Sequence, residues 1–128
     1  MEFPNDLLYT KDHEWARVLG DEAVIGITDH AQDSLGEVVY VELPKTGRTL
    51  APHETFGVVE SIKAVSDLYS PMAGTVLEAN AAAASDPGMI NRSPHGDGWL
   101  IRLKLTDRAA LSTLMNAEDY KKYVESLK

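Results

Sequence analysis

The chain has no cysteine. That excludes disulfides and any thiol of its own, so sulfur chemistry at this protein would have to come from an added group. Long apolar runs are also missing: no stretch approaches the roughly 18 apolar residues of a membrane-spanning helix. The first residues, Met1-Glu2-Phe3-Pro4-Asn5-Asp6, are acidic and carry no signal-type segment. A soluble, intracellular protein is expected. Positive charge is scarce, 12 Lys and Arg against 20 Asp and Glu for a net charge of −8. A phosphate backbone or an anionic membrane surface finds no electrostatic footprint on such a chain, so neither nucleic acid nor membrane is expected as a partner. What remains is 128 residues, 44% of them apolar, enough for one compact domain spanning 1–128.

The apolar residues come in short pieces. Trp15 to Leu19 and Ala23 to Ile27, separated by Gly20-Asp21-Glu22, read as a β-hairpin. Thr28 or Asp29 can cap a short helix, Ala31 to Leu35, which Gly36 stops. Val38 to Leu43 is a β-branched segment ended by Pro44, and Thr49-Leu50 follows the turn residues Lys45-Thr46-Gly47. Phe56 to Val59, Leu68 to Ser70, Gly74 to Leu77 and Trp99 to Leu105 add four more short strands. The stretch from Asn80 to Pro94, with its four alanines and Pro87-Gly88, fits either a helical turn or a loop. Asp107 is expected to cap a helix through Met115. Asn116 begins another in which Tyr120, Tyr123, Val124 and Leu127 recur at helical spacing and should pack onto the strands. The fold class is mostly β, a barrel or sandwich of short strands with a short internal helix and C-terminal helices.

Chemistry concentrates in Gly57 to Pro71, GVVESIKAVSDLYSP. Apolar residues through Val59 give way to a polar interval, and extended structure resumes at Leu68. Lys63 sits between them, with acids at Glu60 and Asp67 and no other cation between Arg48 and Arg92. A lysine at a turn tip suits covalent attachment, because a modifying enzyme can reach the amine and an acylated stem can swing. Acylation would also remove its charge. By itself such a lysine reads as an ordinary solvated surface residue.

The other residues that could carry chemistry do not converge. His13, His30, His53 and His95 are scattered, without HExxH or paired Cys/His spacing, so no metal site is expected. Gly57, Gly74 and Gly98 form no phosphate-binding fingerprint. Trp15, Tyr40, Phe56 and Trp99 read as core or cleft wall. A Schiff-base role for Lys63, with Glu60 or Asp67 as acid or base, would need a desolvated amine; an exposed turn between two acids does not provide one. No catalytic residue is assigned.

The segment ESIKA followed by SDLYSP resembles the lipoylation segment of glycine cleavage H proteins. The resemblance extends through Tyr9-Thr10-Lys11-Asp12-His13-Glu14-Trp15, Gly26 to Gln32, Leu35 to Pro44 and Gly98-Trp99-Leu100, in that family's order and over nearly the whole chain. Biotinyl carriers usually flank their lysine with methionines, and acyltransferase lipoyl domains usually place Asp before it. Here the neighbours are Ile62 and Ala64. The resemblance implies a barrel-sandwich hybrid similar to lipoyl and biotinyl carriers, with lipoate in amide linkage on Lys63 and no catalysis by the chain.

It further implies three partner enzymes. A pyridoxal-phosphate glycine decarboxylase component loads an aminomethyl group on the lipoyl arm. A tetrahydrofolate-dependent aminomethyltransferase removes the one-carbon unit, and dihydrolipoyl dehydrogenase reoxidises the arm. Glu14 and Asp67 match acids associated with the cleft that shelters the loaded arm. Ser34 stands where some members carry histidine. Glu60, three residues before Lys63, is a candidate recognition charge for the lipoate-attaching enzyme. Some similar proteins relay lipoate to other enzymes, an alternative the sequence leaves open. An initial Met without a transit peptide favours a bacterial cytoplasm; a processed mitochondrial matrix chain would look the same.

Overall fold

The computed structural model describes residues 1–127. Among the described residues, nine antiparallel strands form two sheets, neither closing into a barrel. Six belong to the larger sheet: β1 (Leu8–Tyr9), β2 (Glu14–Leu19), β3 (Glu22–Ile27), β9 (Ile101–Asp107), β8 (Ala73–Ala79) and β5 (Thr49–Leu50), in that spatial order. The smaller sheet has the order β4 (Val38–Glu42), β6 (Thr55–Ser61), β7 (Val65–Tyr69). Between the sheets, inward residues such as Ile25, Val41, Phe56, Val59, Leu68, Val76 and Leu103 make the main core. The period-2 alternation of half-buried strands is what turns these residues inward.

The hairpin Glu14 to Ile27 pairs Glu14 with Ile27 and Leu19 with Glu22. Helix α1 (Asp29–Leu35) follows, and of the two candidate caps it is Thr28 that acts, its side chain accepting from the Ala31 amide. Gly36 ends the helix at φ +77°, a conformation that costs an L side chain free energy and glycine little. The ambiguous 80–94 stretch contains two five-residue helices, α2 (Ala81–Ser85) and α3 (Gly88–Arg92); the Asn80 side chain caps the first. The last helix, α4 (Ala117–Ser126), starts at the cap Asn116 as the spacing predicts.

Several expectations are corrected. β1 has no counterpart in the sequence reading: two residues are too few to show a period, and besides nearby Trp15 in β2 its partner is Met115, far along the chain. β7 begins at Val65 rather than Leu68, because as an edge strand it keeps polar residues in solvent and reads as a turn. Trp99 and Leu100 precede β9. Asp107 ends that strand and bonds the Ala109 amide, and only a short 3-10 helix, Ala109–Thr113, follows where a longer helix was expected. Tyr40 is 48% exposed, not core or cleft wall. Leu127 lies past the end of α4 and is also exposed, while Tyr120 and Val124 are buried. With Leu7, Tyr9, Trp15 and Ala117 they form a second cluster on the outer side of the larger sheet.

Candidate functional site

Lys63 lies in the turn between β6 and β7 and is exposed. The turn is closed locally: the Ser61 amide donates to the Ala64 carbonyl at 2.8 Å, and Ser61 Oγ accepts from the amides of Lys63 and Ala64 at 3.2 and 3.1 Å. Its flank is tied to the α1–β4 connection, where the Ile62 amide donates to the Glu37 carbonyl at 3.0 Å. Asn91 braces that connection, with Oδ1 accepting from the Val38 amide and Nδ2 donating to the Gly36 carbonyl, both at 2.8 Å. The lysine stem passes the end of α1, where a Cβ on Gly36 would stand 3.6 Å from Lys63 Cε, in ordinary van der Waals contact.

Beside this turn a cleft of about 240 Å³ opens between α1, the start of β2 and β7. Ile27, Leu35, Val59 and Leu68 give it apolar walls, and His13, Glu14, His30, Ser34, Ser66 and Asp67 add polar ones. Glu14 is at its buried end, 2% exposed. One carboxyl oxygen accepts from Thr10 Oγ1 at 2.8 Å and the other from the Tyr69 amide at 3.3 Å. Burial outweighs these two bonds and pushes the carboxyl up to about 8, with Asp12 adding a smaller push in the same direction. Asp67 is at the exposed rim, on the strand that leaves the turn.

Of the sequence-derived residues, the fold brings Glu14, Asp67 and Ser34 into one cleft and sets the Lys63 turn next to it. Glu60 lies apart from that cleft. It is half-buried on β6, paired across the small sheet with Tyr40 on one side and Val65 on the other.

Sequence spacing disperses the histidines, yet His13 and His30 meet at the cleft with ring centroids 4.6 Å apart. Burial, with a smaller contribution from His30, holds the His13 imidazole below the usual histidine range. His13 has φ +68°, and its Nδ1 lies 2.9 Å from Tyr120 Oη, which in turn is 2.7 Å from Thr28 Oγ1. The one local signal for this pairing was the position of His13 and His30 just outside the two ends of the β2–β3 hairpin. Among the described residues no three His, Cys, Asp or Glu side chains are grouped to hold a metal ion, and no helix is long and apolar enough to cross a membrane.

The lipoyl group that the sequence resemblance implies for Lys63 is compatible with the residues present. The amine is accessible, the cleft has apolar sides for an acyl chain, and carboxyls stand at its floor and rim. Asp67 follows Lys63 by four residues, on the order of 13 Å of extended chain, a span that a lysine stem lengthened by an acyl chain can cover.

Comparison with known proteins identifies the family. The family model described as glycine cleavage H-protein matches residues 7–127. The glycine cleavage system H protein of Acidiphilium cryptum is 54% identical over 119 residues, covering 93% of this chain and 96% of the relative. That of Thermus thermophilus is 49% identical over 126 residues, 98% of each. A crystal structure of the glycine cleavage system H protein from Mycobacterium marinum superposes with a TM-score of 0.86 at 40% identity, over 93% of this chain and 96% of that one. The chain belongs to the glycine cleavage H-protein family.

Proposed function

We propose that the chain is the non-catalytic lipoyl carrier of a glycine cleavage system, with lipoate in amide linkage on Lys63. Bound there, lipoate supplies a disulfide that carries a one-carbon amine fragment and two electrons between partner enzymes. The chain's own residues do the rest. Ser61 and Glu37 hold the turn on which the exposed Lys63 stands, with its stem beside Gly36 at the end of α1.

The observation that carries the reading is the cleft beside that turn, apolar along its walls with Glu14 at the floor and Asp67 at the rim. An amine cargo is a cation when protonated and its carbon–sulfur bond is exposed to hydrolysis in water. A site that limits water and offers carboxyls both shelters and binds it. With no cation beside it Glu14 keeps its proton at neutral pH, since its carboxyl is raised to about 8. An arriving cation supplies the opposite charge that lets Glu14 ionise, so the buried carboxylate is formed where it is paired. Asp67 meets the cation at the entrance.

The partners on this reading are a pyridoxal-phosphate glycine decarboxylase component, a tetrahydrofolate-dependent aminomethyltransferase, dihydrolipoyl dehydrogenase and a lipoate-attaching enzyme. Intact mass of the chain produced with and without lipoate supply tests the attachment. A gain equal to one lipoyl group is expected in wild type and absent in Lys63→Arg. No gain under any supply would overturn the reading. Reconstitution with the three partners and labelled glycine should then give glycine–bicarbonate exchange that depends on the lipoylated chain.

A further inference from the structure

Among the described residues, four of the large apolar side chains left in solvent gather at one end of the small sheet: Val39 (51% exposed), Tyr40 (48%), Ile62 (68%) and Val65 (67%). Strand register accounts for the grouping. Tyr40 pairs with Glu60, and Glu60 with Val65, so the three make one row across β4, β6 and β7, with neighbouring side chains on the order of 5 Å apart. The adjacent pair, Val41 and Val59, points into the core, so by alternation the Tyr40–Glu60–Val65 row faces outward. An irregularity in the β4–β6 register between Val38 and Tyr40 brings out Val39 as well. Ile62 belongs to the Lys63 turn itself. A solvated sheet face ordinarily carries polar residues; in this row Glu60 is flanked on both sides by apolar residues, with the acids Glu42 and Asp67 two residues further along β4 and β7.

The patch is also held in place. The Ile62 amide is bonded to the Glu37 carbonyl, and Asn91 braces the residues on either side of Glu37. A surface that is already ordered gives up little conformational freedom when a partner covers it.

We infer that this face is the docking surface for the enzyme that acylates Lys63, an inference that rests on the lipoyl reading above. In that reaction the Nζ lone pair attacks the carbonyl carbon of an activated acyl donor, an acyl phosphoanhydride or a thioester. The C–N bond forms, the bond to the phosphate or thiol leaving group breaks, and the nitrogen gives its proton to a base of the enzyme or to water. Nζ has to enter that enzyme's active site, so the enzyme must cover the turn together with Ile62 and Val65. The later partners meet the far end of the acyl arm, a full stem and chain away, and have no need to cover the patch. The acids Glu37, Glu42 and Glu60 around the apolar residues specify the partner's chemistry further: an apolar centre rimmed by Lys and Arg.

The test is steady-state acylation of the full chain by purified lipoate-attaching enzyme with its activated donor, comparing wild type with the double variant Tyr40→Ser, Val65→Ser. Both residues are exposed, and an unchanged melting curve shows that the variant folds. The expected result is a KM about tenfold higher with kcat nearly unchanged. Leu19→Ser, an exposed apolar residue at the end of β2, serves as the control with unaltered KM. An unchanged KM in the double variant overturns the inference. It is equally overturned if the fully acylated double variant shows the same rise in KM with the decarboxylase component, since the face would then belong to that partner. Absence of any acylation of wild type would instead strike the lipoyl reading itself.

Discussion

Glu14 is the residue whose environment departs furthest from what its neighbours in sequence suggest. A carboxyl between His13 and Trp15 reads as a loop charge, but β2 begins at Glu14 and its pairing with Ile27 draws the side chain under α1. Because its folded value, about 8, lies above the ordinary 4.5, the native state binds the extra proton between those values. Stability is therefore highest below the ordinary value and falls as pH rises through about 8, by an amount on the order of a few kcal/mol. His13 and His95, both depressed chiefly by burial, act in the opposite sense: their contribution is lost as pH falls below about 6.5. The window from roughly 6.5 to about 8 therefore isolates Glu14 from these histidines. Urea unfolding across it should show stability falling with pH in wild type and a flattened dependence in Glu14→Gln. An unaltered slope in the variant would place the effect on another group. The resemblance to a carrier family named Glu14 and Asp67; that one is buried and the other exposed depended on the packing of α1, which no local pattern encodes.

At the scale of elements, the α1–β4 connection and the β6–β7 turn work as one unit, and Asn91 on α3 joins them. Asn91→Ala removes bonds to Gln32, Gly36 and Val38, with an expected loss on the order of 1 to 3 kcal/mol because the groups left behind are partly buried. The more specific expectation is local. Hydrogen exchange of the Ile62 amide should accelerate more than that of amides in β9, since the Glu37 carbonyl that holds Ile62 loses its brace. Uniform acceleration would mean that Asn91 contributes only to global stability. Gly57 is the other fixed point, because a Cβ there would run into the Glu42 carbonyl of the neighbouring strand; Gly57→Ala should cost about 1 to 3 kcal/mol by forcing β4 and β6 apart, checked by thermal melting. α1 and the cap of α4 were legible because threonine, glycine and asparagine mark them locally, and the β6–β7 turn because a polar interval separates two apolar segments. Asn91 was not, since its partners are 53 to 59 residues away, and the alanines before it fit helix or loop equally.

Across the whole molecule the C-terminal helix braces the cleft from outside, through Tyr120. Helical spacing correctly put Tyr120 and Val124 against the strands, but spacing says nothing about what a hydroxyl meets there. The Tyr120 ring stacks on Tyr9 at 4.5 Å, while its oxygen reaches Thr28, which caps α1, and His13 at the cleft wall. One side chain thus links α4 to both walls flanking Glu14. Tyr120→Phe keeps the stacking and removes only the oxygen, leaving buried Thr28 and part-buried His13 short of a partner. The expected loss is about 1 to 3 kcal/mol in urea unfolding. Tyr123→Phe is the comparison: its hydroxyl donates to the Lys11 carbonyl at 3.3 Å in an exposed setting, and its loss should stay within about 0.5 kcal/mol. Equal effects of the two substitutions would mean that the Tyr120 hydroxyl adds nothing beyond a surface bond, and that α4 is held by its apolar face alone.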